Sequence, residues 1–403
     1  MKYIQLEEAI NLIKENVTYN STFEEVNLLD ARNRVAYEDI FSTIDNPPFN
    51  RSPIDGYSCK SCDLKDIKND NYVKLNVIGE ICAGDSKSFN VQKGECVRIM
   101  TGAMIPENCD CCIKQEDTDE GDEIVKIYKM ISKNENFCFK GEDYKKDTLL
   151  VSKDSKLTYA HIGVLASSGI NRVKVYQMPK IAIISTGDEV VECGKVLNSG
   201  KIYNSNSYMI KARLLELGFS NILINSISDN EDLVYDCIKD LSKEFDVIVT
   251  TGGVSVGKKD IFHEVVKKED MKQIFWKIQI QPGTPIMFSL YKDTPVVSLS
   301  GNPFASLVNF ELIVRELLGF MYKDDALVTK KFSATLKSDF NKKSIKRRFI
   351  RGIYDNYKGV VTLPCGLHSS GVLSSLVGCN CLIDIKAGTS HLKSGDTVKV
   401  ILL

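Results

Sequence analysis

The sequence has no marked excess of charge of either sign and no long apolar run. Its 403 residues carry 52 Lys and Arg against 53 Asp and Glu, a formal net charge of −1. Nucleic-acid-binding proteins usually present a basic face, and no apolar stretch here reaches the length that spans a membrane. We therefore expect no nucleic-acid partner and no membrane association.

A disulfide framework and an export signal are also missing. The 13 cysteines are an odd number without repeating spacing, and the first residues, MKYIQLEEAI, predict a polar amphipathic helix rather than a signal peptide. We therefore expect free thiols in a cytoplasmic protein. The hydrophobic content of 43% and charged content of 26% are ordinary for a globular protein.

What the sequence does contain is a change of pattern along the chain. A helix at the N-terminus and a second one over 31–35 are followed by short strands with glycine turns over 72–115, which predict an all-β domain. Residues 157–169 predict a helix that ends at a glycine. From Lys180 onward buried strands alternate with helices, which predicts a parallel sheet. Residues from about 326 to 403 again predict strands, in a small β-barrel or a sandwich.

The strongest local signal is the stretch Asp246–Asp260. A buried strand runs into Gly252 and Gly253, where bare backbone can turn tightly and expose its N–H groups. A helix expected after Gly257 would add its dipole, which is the arrangement of a phosphate site. Lys259 stands where an NTPase loop needs a hydroxyl for magnesium, so an ordinary NTPase is disfavoured.

Acidic loops follow three of the predicted parallel strands. Because ligands of such sheets bind at the carboxyl ends of the strands, these loops are expected to meet. The loops are Thr186–Glu189, Ser228–Asn230 and Thr251–Asp260, and their carboxylates are Asp188, Glu189, Asp229 and Asp260. A metal ion between carboxylates and an anion would explain this combination.

Two loops of the N-terminal half are ambiguous from local sequence. Asp55 and Gly56 fit a hairpin turn as well as a functional loop. Thr101 ends a strand and could offer its hydroxyl to a ligand, and the charged run 140–143 is typical of a solvated turn.

Eight segments in this order resemble the MoeA-type molybdopterin molybdenumtransferase family, which is related to the C-terminal part of gephyrin. The segments are SPIDGY (52–57), RIMTGA (98–103), GED (141–143), STGDE (185–189), TTGGVSVGKKD (250–260), FWK with PG.P (275–285), SGNP (300–303) and SSGVLSSL (369–376).

The resemblance implies a multidomain fold that combines α/β and β parts. A central three-layer, MogA-like α/β domain with a parallel-rich sheet is expected, together with an N-terminal β domain, a helical and extended dimerisation region and a small C-terminal β-barrel. The implied boundaries are 1–44 with 146–177 for the dimerisation region, 45–145 for the β-rich domain, 178–325 for the molybdopterin-binding α/β domain and 326–403 for the barrel.

The resemblance also implies a reaction. Adenylylated molybdopterin and molybdate would be the substrates, and molybdenum cofactor and AMP the products, with Mg²⁺ required. An alternative is a paralogue that holds molybdopterin or finished cofactor, or inserts tungstate, without normal molybdate transfer. A homodimer with sites shared between subunits is implied, with possible contacts to the molybdopterin adenylyltransferase and to apo-molybdoenzymes.

Site residues follow from the same motifs. The implied catalytic carboxylates are Asp55, Glu189, Asp229 and Asp260. The implied substrate-binding residues are Thr101, Asp188, Gly252, Gly253, Ser255, Lys277, Pro303 and Ser370. The implied magnesium ligands are Asp55, Asp143, Glu189 and Asp260.

One departure from the family pattern concerns charge. The family commonly has two lysines in a K-P-G-K-P segment, where this chain has Gln281 and Thr284. Four other lysines are expected to compensate, because an ammonium binds phosphate as a movable point charge. They are Lys140, Lys258, Lys259 and Lys277. On charge alone, Gln281→Lys is expected to tighten molybdate binding.

Overall fold

A computed structural model describes residues 3–19, 21–67, 71–254, 261–365 and 369–403. The chain forms two compact units. We call residues 25–175 the β-rich unit, and residues 1–24 with 176–403 the α/β–barrel unit. None of the helices in the described ranges has the length and apolar character of a membrane span.

The β-rich unit is built around a five-stranded sheet. Helix α1 (Leu6–Asn16) precedes it in the chain and belongs to the α/β–barrel unit. The elements that follow up to residue 176 are β1 (Phe23–Asn27), β2 (Ile40–Phe41), β3 (Gly56–Cys59), β4 (Val73–Ile81), β5 (Glu95–Ile99), β6 (Cys111–Lys114), β7 (Ile124–Ile127), β8 (Leu149–Val151), α2 (Tyr159–Ser167) and β9 (Arg172–Tyr176). The strand order is β6-β3-β5-β4-β7. Two apolar clusters pack against it, one around Tyr57 and Leu75 and the other around Val97 and Ile105.

The α/β–barrel unit contains a six-stranded sheet wrapped by helices. Its elements up to residue 322 are β10 (Ile181–Thr186), β11 (Val190–Val191), β12 (Ile202–Tyr203), α3 (Ser205–Glu216), β13 (Ile222–Ile227), α4 (Glu231–Leu241), β14 (Val247–Thr251), α5 (Phe262–Val265), β15 (Met271–Trp276), β16 (Ile280–Gln281), β17 (Met287–Tyr291), β18 (Thr294–Leu299), α6 (Pro303–Asn309) and α7 (Arg315–Tyr322). The order is β13-β10-β14-β18-β17-β15, and the first four strands are parallel. Strands β10 and β14 are buried throughout, as expected when both faces of a parallel sheet are covered.

The C-terminal strands form a closed barrel. They are β19 (Lys331–Leu336), β20 (Arg347–Asp355), β21 (Val360–Thr362), β22 (Cys381–Ile385) and β23 (Thr397–Leu402). The order is β20-β21-β19-β23-β22, and β22 closes the barrel by pairing with β20. Strand β16 departs from the α/β sheet and adds to the outside of β20. Together with the sheets described above, this barrel confirms the expected fold class.

One predicted element is wrong. The helix expected over 31–35 is a single 3₁₀ turn, Leu28–Ala31. Asn33 takes a left-handed conformation with φ of 66°, and Val35 forms a β-bridge with Lys156. Tertiary pairing therefore overrides the local helical spacing. Gly218 follows α3 with φ of 96°, the left-handed conformation in which a glycine commonly ends a helix.

Candidate active site

The carboxyl ends of four parallel strands lie side by side at one edge of the six-stranded sheet. Ser185 on β10 is in register with Ser226 on β13 and with Thr251 on β14, and Thr251 is in register with Leu299 on β18. The loops that follow these strands therefore start at the same level, which is where ligands of such sheets bind.

A cavity of about 280 Å³ opens at this edge. It is lined by the ends of β10 and β14, by the loop before α6, by the residues around the start of α3, and by Gly371 from the barrel. The residues used below are Thr186, Glu189, Asn206, Gly252, Pro303 and Gly371.

Gly252 lets two backbones approach closely at the cavity. Its φ is 97°, and a Cβ there would lie 2.6 Å from the carbonyl oxygen of Thr186. Its N–H donates to the carbonyl oxygen of Leu299 at 3.2 Å, so it is already engaged. The N–H of Gly253 has no hydrogen bond to any described residue. Of these two glycines, only Gly253 therefore has an N–H without an acceptor among the described residues.

Of the three acidic loops expected at this edge, the structure shows a contact between the first two, and most of the third lies outside the described residues. Glu189 is exposed, lines the 280 Å³ cavity, and makes no side-chain hydrogen bond or ion pair to a described residue. Asp188 lines a neighbouring cavity of about 200 Å³, and its Oδ1 accepts the backbone N–H of Asp229 at 3.2 Å. Ser255 and Asp260 lie outside the described residues, as does the expected helix start after Gly257. The described helix that follows, α5, has four residues.

In the β-rich unit, Asp55 and Thr101 form a tight pair. One carboxylate oxygen of Asp55 accepts both the backbone N–H and the hydroxyl of Thr101, each at 2.7 Å. These hydrogen bonds, the backbone one first, hold the pKa of Asp55 below its ordinary value. Gly56 is the first residue of β3 and pairs with both Ile99 and Lys114, so Asp55 and Gly56 do not form a hairpin turn.

Asp143 belongs to a different loop of the β-rich unit. Its side chain accepts a hydrogen bond from the amide of Asn46 at 2.9 Å, and its backbone N–H donates to the carbonyl of Asn46. In the part of the chain that the structure describes, no three His, Cys, Asp or Glu side chains gather at metal-binding distance.

Pro303 and Ser370 are brought together by an arginine that the sequence analysis missed. Arg351, fully buried on β20, stacks on Phe304 with 3.7 Å between its guanidinium carbon and the ring centroid. It donates to the carbonyl oxygens of Ser369 at 3.0 Å and Val372 at 2.8 Å. The Ser370 carbonyl accepts the N–H of Phe304 at 3.0 Å, next to Pro303. Arg351 follows the apolar pair Phe349 and Ile350 in this strand, which was the available signal, since a buried charge needs partners.

Asn206 is a second residue that sequence reasoning missed. It is 9% exposed, and its Nδ2 donates to the carbonyl oxygen of Gly301 at 2.8 Å. Its Oδ1 is buried without a hydrogen-bond partner among the described residues, although the side chain lines the cavity. A buried acceptor of this kind is costly unless a ligand or water supplies a donor. Its position in the first turn of α3 gave no local signal.

Lys277 does not line the cavity and instead lies against the ring of Trp276. Its Nζ is 3.7 Å from the centroid of the Trp276 ring, a cation–π contact. Trp276 in turn donates its Nε1–H to the carbonyl oxygen of Val254 at 3.1 Å. Val254 is the last described residue before 255–260.

A larger cavity of about 850 Å³ lies elsewhere, between α3 and the edge strand β13. Its lining includes Tyr208, Leu215 and Leu223 and contains none of the expected site residues. We therefore take the smaller cavity at the carboxyl edge as the candidate site, because Glu189, Gly252 and Pro303 line it together with Asn206.

The fold and this cavity define an α/β protein with a glycine-lined, carboxylate-bearing site at the end of its sheet, next to a closed barrel. Sequence profiles of the MoeA N-terminal region (domain I and II), of a probable molybdopterin binding domain and of the MoeA C-terminal region (domain IV) match residues 4–169, 182–319 and 333–403. The chain belongs to the MoeA family.

Individual relatives agree with this assignment. The molybdopterin molybdenumtransferase of Staphylococcus aureus (strain COL) is 34% identical over 371 residues, covering 92% of this chain and 88% of that protein. The one from Staphylococcus epidermidis is 33% identical over 401 residues, 99% and 95% of the two chains. Two crystal structures of the molybdopterin biosynthesis MoeA protein from Pyrococcus horikoshii match all of this chain with TM-scores of 0.85 and 0.84, at 32% and 27% identity, over 99% and 100% of their own lengths.

Proposed function

We propose that this enzyme inserts molybdate into adenylylated molybdopterin and releases AMP, giving molybdenum cofactor. Membership of a family whose curated relatives are named molybdopterin molybdenumtransferase supports this activity. The observation that carries it is the 280 Å³ cavity, where Glu189, Gly252 and the unpaired Oδ1 of Asn206 meet. The alternative of a cofactor-holding paralogue is not favoured, because the curated relatives carry the transferase name.

Two polar groups would bind the substrate, and one arginine would position a segment of the site. The backbone N–H of Gly253, which has no acceptor among the described residues, would hold a phosphate oxygen of the pyrophosphate that joins pterin and adenosine. The buried Oδ1 of Asn206 would accept an N–H group of the substrate, which would satisfy both partners. Arg351 would act as a positioning residue, since it fixes the segment that carries Ser370 and Gly371 against Pro303.

Magnesium fits the donors that are present. Hard carboxylate oxygens suit Mg²⁺, which is commonly held by one or two carboxylates together with substrate phosphates. Glu189 offers an exposed carboxylate with no described partner, and Asp188 lies beside it. We propose Glu189 as a ligand, with Asp55, Asp143 and Asp260 as the further ligands. Bound there, the ion would neutralise the charge of the pyrophosphate linkage and of the AMP phosphate that leaves when this linkage is cleaved, while the other phosphate stays on the pterin. Asp229, whose N–H bonds Asp188, would shape this loop, and Ser255 would add to the phosphate contacts.

The test is an AMP-release assay at graded molybdate concentrations. Glu189→Gln is expected to abolish AMP release while leaving the unfolding midpoint unchanged, and the exposed Glu244→Gln serves as the charge-matched control. Asp55→Asn is expected to do the same. A wild-type protein that binds adenylylated molybdopterin without releasing AMP would refute the transferase proposal. Unchanged turnover in both site variants would refute their roles.

We further propose a homodimer in which Asp55 and Thr101 of one subunit complete the cavity of the other. Because symmetric dimers repeat the same shared site twice, mixed dimers of Asp55→Asn and Glu189→Gln subunits would regain one intact site. Recovery of AMP release on mixing two inactive variants is the expected result, and its absence in verified heterodimers would exclude sharing.

Three broader proposals accompany this one. The domain boundaries are those implied by the sequence, with 1–44 and 146–177 as the dimerisation region, 45–145, 178–325 and 326–403. The enzyme would work in the cytoplasm. It would receive its substrate from the molybdopterin adenylyltransferase and deliver its product to apo-molybdoenzymes.

A further inference from the structure

The chain has one tryptophan, and its side chain touches both flanks of the turn that follows β14. Trp276 is the last residue of β15, the edge strand separated from β14 by two other strands. Its Nε1–H donates to the carbonyl oxygen of Val254 at 3.1 Å, where the turn begins. Its ring meets the imidazole of His263 edge to face, with 4.0 Å between the centroids, where the chain has entered α5. One side chain therefore bridges the two ends of this turn.

The two flanks of the turn also contact each other. The carbonyl oxygen of Gly253 accepts the N–H of Phe262 at 3.3 Å. A Cβ on Gly253 would lie 3.3 Å from the Phe262 ring and 3.2 Å from the side chain of Ile261, so only a glycine allows this approach without displacement. Val254 and Phe262 are buried in the apolar cluster on which Trp276 packs. The indole therefore covers a junction that is already closed by a hydrogen bond and by packing.

The indole is itself held by a cation. The Nζ of Lys277 lies 3.7 Å from the centroid of the Trp276 ring. A cation–π contact and an edge-to-face ring pair both restrict the orientation of an aromatic side chain, so the Nε1–H is directed at Val254 before any ligand binds. Of the other lysines expected to compensate for the missing family charges, Lys140 is 3.4 Å from Asp45 in the β-rich unit, and Lys258 and Lys259 are outside the described residues.

The backbone next to this junction needs such a restraint. Gly252 and Gly253 have φ of 97° and 62°, and neither carries a Cβ that would limit its backbone to a few conformations. A donor in flexible backbone must be ordered when a ligand binds, which lowers affinity, whereas a donor that is already fixed avoids this loss. Contacts from outside the turn can supply the rigidity that the two glycines lack.

We propose that Trp276 is a positioning residue for phosphate binding. By holding Val254, it would keep the N–H of the preceding residue, Gly253, directed toward a phosphate oxygen of the substrate. This role rests on the proposed function, in which that N–H binds the phosphate linkage between pterin and adenosine. Trp276 itself would not touch the substrate.

Equilibrium binding of inorganic pyrophosphate tests this role without requiring turnover. Trp276→Phe keeps an aromatic ring and removes the N–H donor. Tyr235→Phe is the matched control, because Tyr235 packs on the same apolar cluster and its hydroxyl donates to the carbonyl oxygen of Glu269 at 3.2 Å. Each variant loses one hydrogen bond to a backbone carbonyl, so both should lose similar stability in urea. In titration calorimetry Trp276→Phe should bind pyrophosphate about 3- to 10-fold more weakly, and Tyr235→Phe should bind it like wild type.

Two further measurements separate positioning from folding. Because Trp276 is the one tryptophan of the chain, its emission in the wild type should change on addition of pyrophosphate, with the dissociation constant found by calorimetry. In AMP release, Trp276→Phe should raise the KM for adenylylated molybdopterin by the factor lost in pyrophosphate binding. Its kcat should stay within roughly two-fold of wild type, as expected when an interaction common to the ground state and the transition state is lost.

The possible outcomes are distinct. Equal pyrophosphate affinity in wild type and Trp276→Phe would overturn the proposal, as would unchanged emission during the titration or a wild-type protein that does not bind pyrophosphate. An equal loss of affinity in Tyr235→Phe would assign the effect to general destabilisation and would also overturn it. Pyrophosphate binding that depends on Trp276, in a wild-type protein that releases no AMP, would leave the positioning role standing and reject the transferase function.

Discussion

Replacing Gly252 by alanine tests whether close backbone approach at the cavity is essential. The structure offers a matched control in Gly218, whose φ of 96° is almost the same as the 97° of Gly252. A Cβ at Gly218 would meet no atom within 4 Å, whereas one at Gly252 would meet the buried Thr186 carbonyl oxygen at 2.6 Å. The two variants therefore share the backbone strain and differ in the steric clash.

The magnitudes follow from this difference. Alanine at a left-handed position costs about 1–3 kcal/mol of folding free energy at either glycine. Overpacking against fixed backbone adds about 1–3 kcal/mol at Gly252 alone. To reach ordinary contact the loop at Gly252 must move by roughly 0.8 Å, and a misplacement near 1 Å can cost about 100-fold in rate.

Urea unfolding and single-turnover AMP release measure the two effects. Gly218→Ala should lose stability but keep the wild-type rate of AMP release. Gly252→Ala should be less stable than Gly218→Ala and should release AMP about 100-fold more slowly. Equal stability and equal rates in the two variants would refute the argument that the Thr186 contact excludes a side chain.

Two further predictions concern polar contacts. Thr101→Val removes one of the hydrogen bonds that lower the pKa of Asp55, so the acidic limb of the pH–rate profile should move to higher pH, but only partly, because the backbone N–H remains. An unshifted limb would show that Asp55 does not control it. Asn206→Asp turns a carboxylate oxygen toward the Gly301 carbonyl in place of a donor, which should lower the free energy of unfolding by about 1–3 kcal/mol in urea titrations. A variant as stable as wild type would contradict the hydrogen bond.

The parts of the fold that sequence predicted are those with local signals. Buried strands followed by glycine or acidic residues identified the ends of β10, β13 and β14, and with them Glu189 and Gly252. Asp55 and Thr101 were each expected in the site only through family motifs, because Asp-Gly by itself is typical of a hairpin turn. The hydrogen bonds between them were not predicted.

The parts that sequence did not predict depend on contacts between distant residues. Arg348 and Gln281 are 67 positions apart, and their contact exists because β16 joins the barrel. Asn206 became a candidate only when its acceptor was found buried and unpaired. At 31–35 the helical spacing failed because Val35 pairs with Lys156, more than a hundred residues away.

The attachment of β16 to β20 has a mechanical consequence. The α/β sheet and the barrel are linked covalently through the segment after α7, and again by the ladder at residues 280–281 and 347–348. Two connections restrain rotation between the sheet and the barrel more than one linker would. We therefore expect any opening around a ligand to involve the short segments that border the cavity rather than a hinge between the sheet and the barrel.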